Sequence, residues 1–135
     1  YVLIDCSPHL DLQMLNALVA SERVIIPTQA HFLDTAGLND TIEIIRKVQQ
    51  SLNPNLKQVD ILLTMFMQRT VLNQISRQNV VERYGEQMHI FSQPIDYSIK
   101  VAEHPAVGIS LLEYAPKNAA ALSYRAAAEE VMRNG

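Results

Sequence analysis

The sequence holds a single cysteine, Cys6, so no internal disulfide can form, and no signal-peptide pattern opens it; the expected setting is a reducing cytoplasm. Long hydrophobic runs are missing as well. The apolar stretches 2–4, 24–26 and 61–63 each fall far short of the ~20 residues a membrane helix requires, which predicts a soluble chain with no membrane partner. Basic clusters are also scarce: none exceeds the pair Arg46 and Lys47, and the formal net charge is -3, so composition carries no nucleic-acid footprint. Basic residues from distant parts of the chain, or from two copies, can still gather into a patch that total charge does not report. There is no internal repeat and no linker that would divide the chain. Tyr1 stands directly inside an apolar run with no initiator Met, which reads as the start of a piece of a longer protein. One domain over residues 1–135, incomplete at its start, is the expectation.

What is present fits that size. With 135 residues, 48% hydrophobic and 19% charged, the chain has the composition of one globular domain. Such a domain buries roughly two-thirds of its unfolded surface, enough to fold without covalent staples. Short β-branched runs alternate with longer stretches of helical period, the pattern of βαβ units around a parallel sheet. Residues 1–5 read as a buried strand. Leu12, Leu15, Leu18 and Val19 then recur as on one helix face, and residues 24–26 make a strand stopped by Pro27. Residues 35–51 carry Leu38, Ile42, Ile45 and Val48 on one stripe, with Glu43 and Lys47 as an exposed i, i+4 pair. Asn53 and Pro54 end that helix, and residues 59–66 form an apolar strand. A helix is expected over 71–84, stopping near Gly85, then a strand at 88–91. Between Ser92 and Pro116 the spacing predicts a long loop with one short helix, and an edge strand at 109–112. Residues 119–132 are alanine-rich and helical.

The chemistry-bearing motif is the opening YVLIDCSP, an apolar run ending in Asp5. In nucleotide-hydrolysing α/β proteins, a carboxylate at the C-terminal end of a buried strand faces the crevice where phosphates and Mg²⁺ sit. Asp5 can hold Mg²⁺ directly or through a water; a plain helix-capping or turn role fits the same residue. The usual companion of such a carboxylate, a GxxxxGK(S/T) phosphate loop, is absent from the whole sequence.

The run from Tyr1 to Leu38 resembles, without a gap, the segment that follows the phosphate loop in ParA/Soj-type partition ATPases of the ParA/MinD superfamily. The likeness rests on Asp5, Cys6, Ser7 and Pro8, then Leu15, Asn16, Ala17 and Leu18, then Ile26, Pro27, Gln29, Gly37 and Leu38. It continues at Leu62, Leu63, Thr64 and Met65 with Arg69 and Thr70, and at Glu113, Tyr114, Pro116 and Lys117. It closes with Tyr124, Arg125, Ala128, Glu129 and Glu130. The resemblance implies a doubly wound α/β domain with a mostly parallel sheet, an incomplete P-loop NTPase-like fold. It further implies Asp5 as the catalytic and Mg²⁺-facing aspartate, Cys6, Ser7 and Pro8 in the switch loop, and Thr64 and Asp96 near the nucleotide. Lys100 and Arg69 are the implied DNA contacts. The segment 95–105 resembles the family's base-covering, DNA-approaching loop and departs from it at Asp96, where proline is expected, and at Tyr97, where a basic residue is common. For the intact parent, the family implies ATP and Mg²⁺, a nucleotide-dependent homodimer, non-specific DNA, a ParB-like stimulating partner and a cytoplasmic, nucleoid-associated setting. This chain alone is expected to be inactive.

Other residues have plainer readings. His9, His31, His89 and His104 lack paired ligand spacing and read as solvent-facing loop residues rather than a metal cluster. Cys6 reads as a small buried hydrophobe rather than a nucleophile. Met65 and Met67 read as core and strand-end packing. Arg69, Arg77, Arg83 and Lys100 fit either a shallow DNA-facing strip or an ordinary solvated face. The end helix lacks the amphipathic face of a membrane anchor, which argues against a MinD-like cell-division ATPase. A non-catalytic ParA-like interaction module is the alternative of a different class.

Overall fold

The computed structural model describes residues 1–7, 11–30 and 35–134. Its elements run α1 (Leu12–Ala20), β1 (Arg23–Gln29), α2 (Thr35–Ser51), β2 (Gln58–Thr64), α3 (Val71–Tyr84), β3 (His89–Ile90), α4 (Ile99–Val107), α5 (Leu111–Tyr114) and α6 (Ala119–Arg133). The strands form a parallel sheet in the order β1-β2-β3, each joined to the next through a helix, which is the α/β class the alternation predicts. The chain divides into two compact units, Tyr1–Ile26 with Asp34–Asp60, and Pro27–Leu33 with Ile61–Gly135.

In the first unit, α1 begins at Asp11, whose carboxylate accepts the Met14 N–H at 2.9 Å and so satisfies one of the donors a helix start leaves open. The α2 stripe is buried as its spacing requires: Leu38, Ile42, Ile45 and Val48 all lie in the core. Ile45 and Val48 join Leu18 of α1 and Leu56 in one apolar cluster, against which Val24, Ile26 and Val59 pack from the strands. A buried amide closes this unit. Asn53 sits just beyond α2 and donates to Leu18 O at 2.9 Å and Ser21 O at 2.7 Å, satisfying carbonyls at the end of α1. The fully buried carboxylate of Asp60 on β2 is paired with Arg23 of β1 and accepts Gln58 Nε2 at 3.2 Å, so its charge is not left alone in the interior.

In the second unit, Phe66, Val80, Tyr84, Phe91 and Ile95 are buried, and Leu111 packs with Ala120 and Ala121 against Val101 and Ala115. The helices here start on side-chain caps: Ser98 for α4, Ser110 for α5 and Asn118 for α6 each accept a backbone N–H of the first turn. Gly108 ends α4 with φ 75°, the left-handed conformation that glycine adopts without a Cβ penalty.

Several expectations are corrected. Residues 1–5 form no strand; Tyr1, Val2 and Leu3 are almost fully exposed, and the sheet of described strands does not include them. An apolar run becomes a strand only where a neighbour pairs its N–H and C=O groups. Pro27 does not stop β1, which runs on to Gln29; β1 is an edge of the described sheet, where a residue without an N–H is tolerated. Residues 109–112 are not a strand, because Ser110 caps the N–H of Glu113 and turns the chain into α5. The expected single helix between Ser92 and Pro116 is instead the pair α4 and α5. Cys6 is exposed rather than buried, as are the other residues of 1–7. Met65 and Met67 are exposed, leaving only Phe66 between them in the core. His89 lies on β3, not in a loop, and bonds to Glu130.

Candidate functional site

Beyond the carboxyl end of β2 the ladder continues in the second unit. Ile95 N donates to Leu63 O at 2.8 Å, Phe66 N to Ile95 O at 2.9 Å and Tyr97 N to Phe66 O at 2.9 Å, with Phe66 and Asp96 as a parallel bridge pair. Thr64 O accepts Ala30 N at 3.2 Å. These bonds bring Thr64 and Asp96, far apart in sequence, to one strand-end region, where open α/β sheets bind ligands. Met65 between them has φ 51°, a left-handed conformation that costs a non-glycine residue about 1–3 kcal/mol and is concentrated at functional turns.

The Asp96 carboxylate is held on both oxygens. Gln68 Nε2 donates to Oδ1 at 2.9 Å and Ser123 Oγ to Oδ2 at 3.0 Å. Ser123 is fully buried on α6 and also meets Gln93 Nε2 at 3.4 Å. A carboxylate oxygen has two acceptor sites, so Asp96 is fixed in place with capacity for a further donor. Sequence reasoning missed Gln68, Gln93 and Ser123. The one available signal was Ser123 itself, a polar residue on the buried face of an alanine-rich helix.

The basic residues separate by what they bond. Arg77 Nη2 donates to Ser92 O at 2.8 Å, and the Arg83 guanidinium lies 5.6 Å from the Tyr84 ring centroid, so both have intramolecular roles. Arg69 is exposed in the turn before α3. Lys100, in the first turn of α4, pairs with Glu103 at 2.8 Å, which raises its pKa and lowers that of Glu103, the hydrogen bond between them being the largest cause in both.

Asp5, Cys6 and Ser7 belong to the first unit and are exposed. The structure does not put Asp5 at a strand end. Ser7 Oγ donates to Asp11 Oδ2 at 3.4 Å and Cys6 Sγ to Ile4 O at 3.7 Å. Pro8, His9 and His31 lie outside the described residues. Among the described residues no group of three or more His, Cys, Asp or Glu side chains could hold a metal. The Asp5 carboxylate fits Mg²⁺ as one hard oxygen ligand, since this ion takes one or two carboxylates and completes its shell with water and phosphate oxygens. Among the described residues no helix is long and apolar enough to cross a membrane.

One further polar cluster joins β3 to α6. The nearly buried Glu130 carboxylate accepts from His89 Nε2 at 2.7 Å, from Ser92 N at 3.0 Å and from Ser92 Oγ at 2.5 Å. Desolvation, the largest influence, raises its pKa, but the Ser92 and His89 hydrogen bonds together outweigh it, and the net shift is downward.

Residues 1–58 match a family described as an AAA domain. The chain is 36% identical to the chromosome-partitioning ATPase Soj of Thermus thermophilus, covering 97% of the chain and 52% of Soj. It is 37% identical to the chromosome partitioning protein ParA of Myxococcus xanthus, covering 98% of the chain and 46% of that protein. Among solved structures, cobyrinic acid a,c-diamide synthase of Mycobacterium smegmatis with bound ADP and magnesium superposes with a TM-score of 0.73 at 26% identity, over 96% of the chain and 45% of the synthase. The chain thus spans about half the length of the curated relatives it matches.

Proposed function

We propose, on the premise that this chain is a ParA/Soj-type relative, that it supplies the nucleotide-facing and DNA-facing part of a partition ATPase without the phosphate cradle. The observation that carries this reading is the match to partition ATPases along nearly the whole chain. In this reading Thr64 and Asp96 border the adenine base. The Asp96 carboxylate, positioned by Gln68 and Ser123, accepts a hydrogen bond from the exocyclic amine. Asp5 faces Mg²⁺, directly or through a water, and Cys6, Ser7 and Pro8 form the loop that responds to the γ-phosphate. The ion neutralises charge on the phosphates. Lys100 and Arg69 meet DNA phosphates without reading sequence. The whole protein would act in the cytoplasm on the nucleoid, as a homodimer whose hydrolysis a ParB-like partner stimulates.

Phosphoryl transfer depends on positioning and charge stabilisation, so a chain without the lysine and backbone N–H groups of a phosphate loop has no turnover and binds nucleotide weakly. ATP titration followed by NMR tests the base site: resonances of Thr64 and Asp96 shift, and Asp96→Ala abolishes the shifts. Shifts confined to other residues, or unchanged in Asp96→Ala, contradict it.

A further inference from the structure

Lys100 is not presented as a bare cation. Its Nζ lies 2.8 Å from Glu103 Oε2, one helical turn along α4, and 5.4 Å from the ring centroid of Tyr114 on α5. Tyr114 donates its hydroxyl to the same Oε2 at 3.1 Å. The tyrosine therefore fixes the carboxylate and offers its ring face to the ammonium. Lys100 also sits in the first turn of α4, where the helix dipole disfavours positive charge, and Glu103 offsets that field. Both charged side chains remain partly exposed, 47% for Lys100 and 42% for Glu103, and an ion pair of that exposure is weak enough for another anion to compete.

We propose that Glu103, held by Tyr114, is a built-in competitor that restrains Lys100, so that a DNA phosphate engages this lysine only by displacing the Glu103 carboxylate. The inference rests on the reading of Lys100 as a DNA contact and adds a positioning residue to it. No covalent step is involved; one anion exchanges for another on the same ammonium.

The test is binding of a non-specific DNA duplex to the chain, followed by fluorescence anisotropy across a salt series. Glu103→Gln frees the ammonium and tightens binding at low salt by about threefold, the strength of one exposed ion pair, and steepens the dependence of log K on log salt, since no Lys100–Glu103 pair is left for salt to weaken in the free protein. Lys100→Ala weakens binding, and in the Lys100→Ala background Glu103→Gln changes nothing. Glu129→Gln, which removes the same charge from an exposed site on α6, leaves the salt slope unchanged and separates the local effect from net charge. A Glu103→Gln gain that persists without Lys100, or wild-type binding that Glu103→Gln leaves unaltered, overturns the inference alone. Absence of DNA binding in every variant overturns the reading of Lys100 as a DNA contact, and the inference with it.

Discussion

The hydroxyl of Ser123 lies 3.0 Å from Asp96 Oδ2 and 2.9 Å from Ala119 O, two acceptors for one hydrogen. In any instant Ser123 either anchors the carboxylate or bonds back into its own helix. Because Ser123 is fully buried, no water replaces it. Ser123→Ala therefore lowers stability by about 1–2 kcal/mol, measured by urea unfolding, and leaves Asp96 held only through Gln68.

Asn53→Ala removes the donor that satisfies Leu18 O and Ser21 O in the first unit. Ser21 O then loses this donor and Leu18 O keeps only the long bond from Ser21 N at 3.4 Å, and stability falls by about 1–2 kcal/mol in urea unfolding. Asn53→Asp retains the shape but places an acceptor against two acceptors, and is destabilising as well.

Glu130 gives the fold a dependence on acid. Its folded pKa is depressed below the ordinary 4.5, so the stability it confers is fully present above the unfolded value and is lost as pH falls through it toward the folded value. Glu130→Gln flattens the acid limb of a stability-against-pH curve while lowering the plateau near neutrality. An acid limb unchanged in Glu130→Gln would show that other carboxylates set it.

The sequence made α2 and α3 readable to their terminal residues, and the reasons are local. Leu38, Ile42, Ile45 and Val48 define one stripe, and Asn53 and Pro54 terminate the segment within a few residues. The opening apolar run was not readable, since nothing in residues 1–5 encodes whether a neighbouring strand is there to pair with them. Residues 109–112 carry β-branched and leucine character, but the short-range Ser110 to Glu113 cap decides the outcome in favour of a helix. The site was half legible. Thr64 and Asp96 are candidates by likeness to a family alone, and their adjacency is not legible in the sequence, because the Phe66 to Asp96 bridge spans a whole helix and strand of intervening chain. The Lys100 to Glu103 pair was not readable, since it needs the helix α4 where the spacing predicts a long loop, and the Tyr114 hydroxyl that holds Glu103 depends on how α5 packs against α4.

Phosphate release from ATP by this chain with Mg²⁺ and non-specific DNA present, wild type beside Asp5→Ala, decides whether the chain turns over nucleotide. No release above background is expected from either, since the sequence has no phosphate loop to orient the transferring group. Sustained release by the wild type that disappears in Asp5→Ala would contradict this expectation.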